Sequence, residues 1–121
     1  MEFVNLCPHA ISVMGADGEV KIFPPSGSIA RVAAKATPIA PIAGFSVSVT
    51  VYGDVTGLPA PEAGKVFIVS GVVLEAVKAV APRPDVVAPD TGPTQVRFTA
   101  DDEAAGLGKA GQTRYVMGFR A

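Results

Sequence analysis

Phe45-Ser46-Val47-Ser48-Val49-Thr50-Val51-Tyr52 decides the fold class. Phe45, Val47, Val49 and Val51 fall on one face of an extended chain, and Ser46, Ser48, Thr50 and Tyr52 on the other. A strict period of two over eight residues predicts a half-buried strand with a hydroxyl-lined outer face. Downstream, Val66 to Val69 is continuously apolar and reads as a buried central strand. Ser70 then stands in an N-cap position. Over Gly71 to Ala81, a stripe of Val73, Leu74, Val77, Val80 and Ala81 opposes Glu75, Lys78 and Ala79, which predicts one helix. Pro82 and Pro84 end it.

Outward from this centre the elements are short. Phe3 to Met14 is interrupted by Pro8 and reads as an edge strand, a bulge or two short strands. Gly15-Ala16-Asp17-Gly18 is turn chemistry, with Glu19 to Phe23 returning as the second arm of a hairpin. Ile29 to Ala33 is a further strand. Thr37 to Gly44, with two prolines and no period, is expected to be an extended connector, and Gly53 to Gly64 a long turn. Val86-Val87, Gln95 to Ala100 and Thr113 to Arg120 complete the strands, with a mobile loop expected over Asp101 to Gln112. The expectation is an α+β, β-dominant chain, residues 1–121 as a single domain. It would form a compact sheet or partly closed barrel of about seven or eight short strands with one helix, about 71–81.

Composition agrees and excludes several functions. The chain has 121 residues, 49% of them apolar, enough for a core. The apolar set is rich in Ala (19) and Val (18), against 6 Ile and 4 Leu, so the core is built from small and β-branched side chains. A net charge of -1 argues against a dedicated nucleic-acid binder, which must neutralise phosphates. One Cys excludes a disulfide framework and a Cys-based zinc site, and one His a multi-His centre; no cofactor or metal is expected. The N-terminus lacks the basic and apolar regions of a signal peptide, and Gly71 to Ala81 is too short to span a bilayer. The expectation is a cytoplasmic protein with a reduced Cys7 and no membrane association.

Motifs are few. Gly106 to Gly111 matches Gly-x-Gly-x-x-Gly, but follows no buried strand and opens no helix, so a hairpin tip is the better reading. Cys7 and His9 stand two apart and suggest a nucleophile pair, which Pro8 between them disfavours. Asp101, Asp102 and Glu103 are consecutive and cannot converge on one point. Ser70 lies between a strand and a helix but lacks Gly-x-Ser-x-Gly around it, so capping is preferred to catalysis. An enzyme is therefore the least favoured class.

What remains is a set of polar groups among apolar strands. Asn5, His9, Arg31, Tyr52, Arg97, Arg114 and Arg120 are the candidate ligand-binding residues. Arg would pair phosphates, Tyr52 would stack on a ring, and Asn5 or His9 would read polar edges. Taken singly, each is better explained by solvation of an outer face, a preference that clustering of three or more around one concavity would reverse.

Four strings carry a resemblance: Asn5-Leu6-Cys7-Pro8-His9; Phe23-Pro24-Pro25-Ser26-Gly27 with Ala30-Arg31-Val32; Tyr52-Gly53-Asp54-Val55-Thr56-Gly57-Leu58-Pro59; and Val66-Phe67-Ile68-Val69-Ser70. They resemble a family of small bacterial and phage-encoded proteins with NLxPH, PPSGxxAR, YGxVTGLPxP and YIVS-type strings in this order. The likeness covers most of residues 3 to 93 and supplies context rather than chemistry. It implies a phage accessory protein acting in the host cytoplasm, and by analogy an anti-defence protein that sequesters a nucleotide-derived immune signal. The alternative is a structural or protein-interaction subunit, forming a homo-oligomer or a virion component.

Overall fold

The computed structural model describes residues 1–121. Its strands are β1 (Glu2–Asn5), β2 (Ile11–Met14), β3 (Val20–Phe23), β4 (Arg31–Ile42), β5 (Phe45–Thr56) and β6 (Lys65–Ile68). After helix α1 (Gly71–Val80) come β7 (Val86–Pro89), β8 (Val96–Arg97), helix α2 (Ala100–Ala104), β9 (Thr113–Tyr115) and β10 (Phe119–Arg120). The chain is β-dominant, as the α+β reading expected, but has ten strands and two helices in place of about seven or eight strands and one helix. The strands do not close into the barrel that was one of the two expected forms. The strands make one four-stranded mixed sheet, in the order β1-β6-β7-β10, and three two-stranded pairs, β2-β3, β4-β5 and β8-β9.

The four-stranded sheet is the scaffold. β1, β6 and β7 run parallel, and β10 is antiparallel to β7. The β6–α1–β7 crossover explains why β6 reads as an unbroken apolar run: both of its faces are covered. Phe67 and Val69 join Leu6, Val86 and Ala88 beneath Val73, Leu74 and Val77 of α1. Ile68 turns to the other face, where Cys7, Ile11, Val13 and Val116 form a second buried cluster. Burial of each large side chain here contributes about 1.5–3 kcal/mol.

Helix α1 follows the sequence closely. Ser70 caps it through Oγ, which accepts the Val73 N–H at 3.4 Å, and the Ala81 N–H closes the last turn on the Val77 carbonyl. The buried stripe is Val73, Leu74, Ala76 and Val77; Val80 is in solvent. Just beyond it, Arg83 grips Asp85 with two hydrogen bonds, of 3.1 and 2.7 Å, and donates a third to the Pro59 carbonyl. The Arg83 guanidinium holds the Asp85 carboxyl below its ordinary range.

Several expectations are corrected. The connector over Thr37 to Gly44 and the start of the Gly53 to Gly64 turn belong to strands. β4 and β5 are each 12 residues long and pair as one antiparallel ribbon. Pro38 and Pro41 are tolerated because nothing pairs with the outer edge of β4. At the tip, Ala43 and Gly44 have φ of 51° and 82°, the two positive values that a type I′ hairpin turn requires. The strand Phe45 to Tyr52 is not half-buried. Val47 is partly covered, but its other residues are exposed on both faces.

The expected loop over Asp101 to Gln112 contains α2. A capping box forms it: the Asp102 N–H donates to Thr99 Oγ1 at 3.1 Å, and the Thr99 N–H donates to Asp102 Oδ2 at 2.8 Å. Finally, Thr113 to Arg120 is two strands. The chain pairs with β8 through Tyr115, buries Val116 against Val13, and then crosses to β7 at Phe119.

Candidate functional site

The parallel strands aim the ends of three segments at one place. The loop after β1 brings Cys7, Pro8 and His9; the end of β6 brings Ser70 and Gly71; the end of β7 brings Pro89 and Thr91. In open parallel sheets, ligands bind beyond the carboxyl ends of the strands. Here those ends line a cavity of about 440 Å³, closed on its far side by Phe98, Thr113, Arg114 and Tyr115.

Each wall is held by identifiable contacts. The β1 loop is tied by Asn5, which is 2% exposed. Its Nδ2 donates to the carbonyls of His9 and Phe23, at 3.0 and 2.8 Å, and its Oδ1 accepts the Cys7 N–H at 2.8 Å. Phe98 is pinned between the cavity and Gly108, where any Cβ would collide with its ring. Arg114 lies 5.9 Å above the Phe98 ring centroid and pairs with Asp102 at 3.4 Å. The capping-box hydrogen bonds to Thr99 hold the Asp102 carboxyl below its ordinary range, with a smaller push from Arg114.

The electrostatics are one-sided. No Asp or Glu lines the cavity, whereas Arg114 and His9 both do. The N-terminus of α1 opens into it, with no acidic residue in the first turn to neutralise the helix dipole. Ser70 Oγ satisfies the Val73 N–H, leaving those of Gly71 and Val72 without an acceptor in the chain. Arg120 lies over Gly71 so closely that a Cβ there would stand 2.7 Å from its Nη2. Its Nη1 is bound to Glu75 at 2.9 Å, which holds that carboxyl below its usual range. Arg31 lines an adjoining groove of about 270 Å³ that shares Ser70 with the main cavity and reaches Val72.

Of the seven candidate residues, His9 and Arg114 line the cavity, Arg120 lies over Gly71 and Arg31 lines the adjoining groove. The other three stand elsewhere. Asn5 is a buried tether with its polar atoms spent inside the chain. Tyr52 is on the exposed β4-β5 ribbon, opposite Ala34. Arg97, on the strand beside Arg114, donates to the Gly111 carbonyl at 3.0 Å and does not line the cavity. Sequence reasoning missed Thr91, Phe98, Thr113 and Tyr115. The visible signal was the strand–Ser–Gly–helix string at Val69 to Val72, which marks where a parallel strand delivers a helix N-terminus.

The catalytic readings gain little. The Cys7 thiol is buried, points at the Ile68 carbonyl from 4.0 Å, and is pushed up in pKa by burial, so it stays protonated at neutral pH. Ser70 is occupied as a cap. No three His, Cys, Asp or Glu side chains come together as a metal-binding group, and no helix is long and apolar enough to cross a membrane. Compared with known proteins, the chain matches no family model, no curated protein and no solved structure.

Proposed function

We propose that this cavity binds a small phosphate-bearing ligand of nucleotide type, and that the protein acts by holding it rather than by transforming it. The observation that carries the reading is a cavity lined by His9, Arg114 and the start of α1 and by no carboxylate, with Arg120 lying over Gly71 and Arg31 in the adjoining groove. A phosphate would take the Gly71 and Val72 N–H groups and the Arg forks. Phe98 and Tyr115 give a ring two aromatic walls, and Ser12 and Thr91 offer hydroxyls to a sugar. The volume falls within the roughly 300–1,000 Å³ of small-molecule sites. Sequestration of a nucleotide-derived immune signal in the host cytoplasm, in the manner of a phage anti-defence protein, is the biological form of this reading that the sequence resemblance supports.

Thermal melting against a panel tests it: inorganic phosphate, ribose 5-phosphate, nucleoside mono- and diphosphates, cyclic mono- and dinucleotides, and ADP-ribose derivatives. At 100 times its Kd a ligand adds about 2.7 kcal/mol to stability. At least one phosphorylated nucleoside is therefore expected to raise Tm by several degrees, and its unphosphorylated nucleoside by none. No rise with any member at millimolar concentration would refute the proposal.

A further inference from the structure

The cavity does not use the β4-β5 ribbon. Val32 and Val55 at its base pack on the core, and beyond Ala34 and Tyr52 the two strands hydrogen-bond only to each other. At about 3.3 Å per residue this free arm is about 30 Å long. A two-stranded hairpin with nothing packed on it is marginal in water.

The register sorts its side chains. Ile39 pairs with Val47, Thr37 with Val49, Lys35 with Val51 and Ile42 with Phe45, all on one face. Ala36 with Thr50, and Pro38 with Ser48, take the other. The apolar face is in solvent: Ile39 is 45% exposed, Ile42 64%, Phe45 75%, Val49 44% and Val51 51%. These five present on the order of 500 Å² of apolar surface, near the largest patch a monomer carries.

We propose that the arm is a homodimerisation element, packed apolar face to apolar face on the same arm of a second copy about a two-fold axis. Doubling the patch gives about 1,000 Å², the area at which specific interfaces begin. Lys35 at the base is the arm's single charge, and from Ala36 to Gly53 there is none, so the arm offers little to a partner recognised by charge, such as nucleic acid or an acidic peptide. A second copy brings a face of the same length, width and polarity, which is the self-complementarity a two-fold interface needs. The two ribbons would form a small four-stranded sandwich with sheets about 10 Å apart, leaving Ser46, Ser48 and Thr50 in water. Pro38 and Pro41 leave the outer edge of β4 short of N–H donors and disfavour strand addition there.

The proposal is independent of the ligand reading and fails separately from it. Sedimentation equilibrium between about 10 and 200 µM is expected to give twice the 12.3 kDa chain mass. Val49→Lys and Val51→Lys, on the apolar face, are expected to give monomers with an unchanged far-UV circular dichroism spectrum and an unchanged ligand response. Thr50→Lys, one residue away on the opposite face, should remain a dimer. A monomeric wild type, an assembly larger than a dimer, or equal effects of Val49→Lys and Thr50→Lys would overturn it.

Discussion

Asn5→Leu is expected to lower the melting temperature by about 10 °C or more. Leu has the branching and the number of side-chain heavy atoms of Asn in a larger volume, so the change removes hydrogen bonds without opening a cavity. Asn5 Oδ1 accepts the Cys7 N–H, and Nδ2 serves the His9 and Phe23 carbonyls. Two of these partners lie in the chain leaving β1 and the third ends β3, so one side chain ties the parallel sheet to the β2-β3 hairpin. Stranding a buried polar group costs about 1–3 kcal/mol. With three groups affected, and some regaining water, the sum is about 3 kcal/mol, and each kcal/mol is worth about 4 °C in a chain of this size. Calorimetry of the purified variant checks it; a drop of only 2–3 °C would show that the tether carries little. Because the β1 loop forms one wall of the cavity, the variant should also bind ligand more weakly in proportion to its disorder.

Arg114→Glu is expected to weaken the ligand by about 100-fold while leaving the fold intact. Arg114 is exposed on β9, so its loss removes no core packing. Reversing its charge takes one guanidinium fork from the cavity, places a carboxylate where none now stands, and sets that carboxylate beside Asp102. Loss of a charge-assisted contact combined with direct repulsion accounts for two decades, about 2.7 kcal/mol. Arg97→Glu is the matched control. Its position pairs with Thr113, next to Arg114, yet its side chain is outside the cavity, so affinity should change less than threefold. Titration calorimetry of both variants with the best ligand of the panel decides the matter. Equal losses would mean that the two arginines act only through the general field of the protein. No loss with Arg114→Glu would remove the cavity from the account.

The sequence was most legible where local pattern and tertiary environment carry the same message. Val66 to Val69 is apolar throughout because α1 covers one face and the β2-β3 hairpin with Val116 covers the other. Ser70 caps and Pro82 stops the helix by rules that act within a few residues. Phe45 to Tyr52 shows the limit. Alternation reports that one face is apolar, and says nothing about whether a core, a second chain or water meets it. The prolines of β4 misled for a related reason: they exclude a central strand but not an unpaired edge. α2 was hidden because its signal, Thr99 with Asp102 three residues on, is short and lies in an acidic Gly-rich stretch that also suits a loop. The site was legible as residue types and illegible as a place. His9, Arg120 and the start of α1 are neighbours because β1, β6, β7 and β10 pair in that order, and Arg114 joins the same cavity from β9, facts of long-range pairing that no window of sequence contains.

An anion bound where the start of α1 meets the ends of the parallel strands would be felt by the backbone amides there. A titration of ¹⁵N-labelled protein with the phosphorylated ligand of highest melting shift, followed by amide chemical shifts, reads this out. The predicted result is saturable movement of Gly71 and Val72, whose free N–H groups would bind the phosphate, together with His9, Thr91, Arg114 and Tyr115, while the arm around Val49 stays still. Shifts confined to residues outside the cavity, or saturation without movement of Gly71 and Val72, would contradict it.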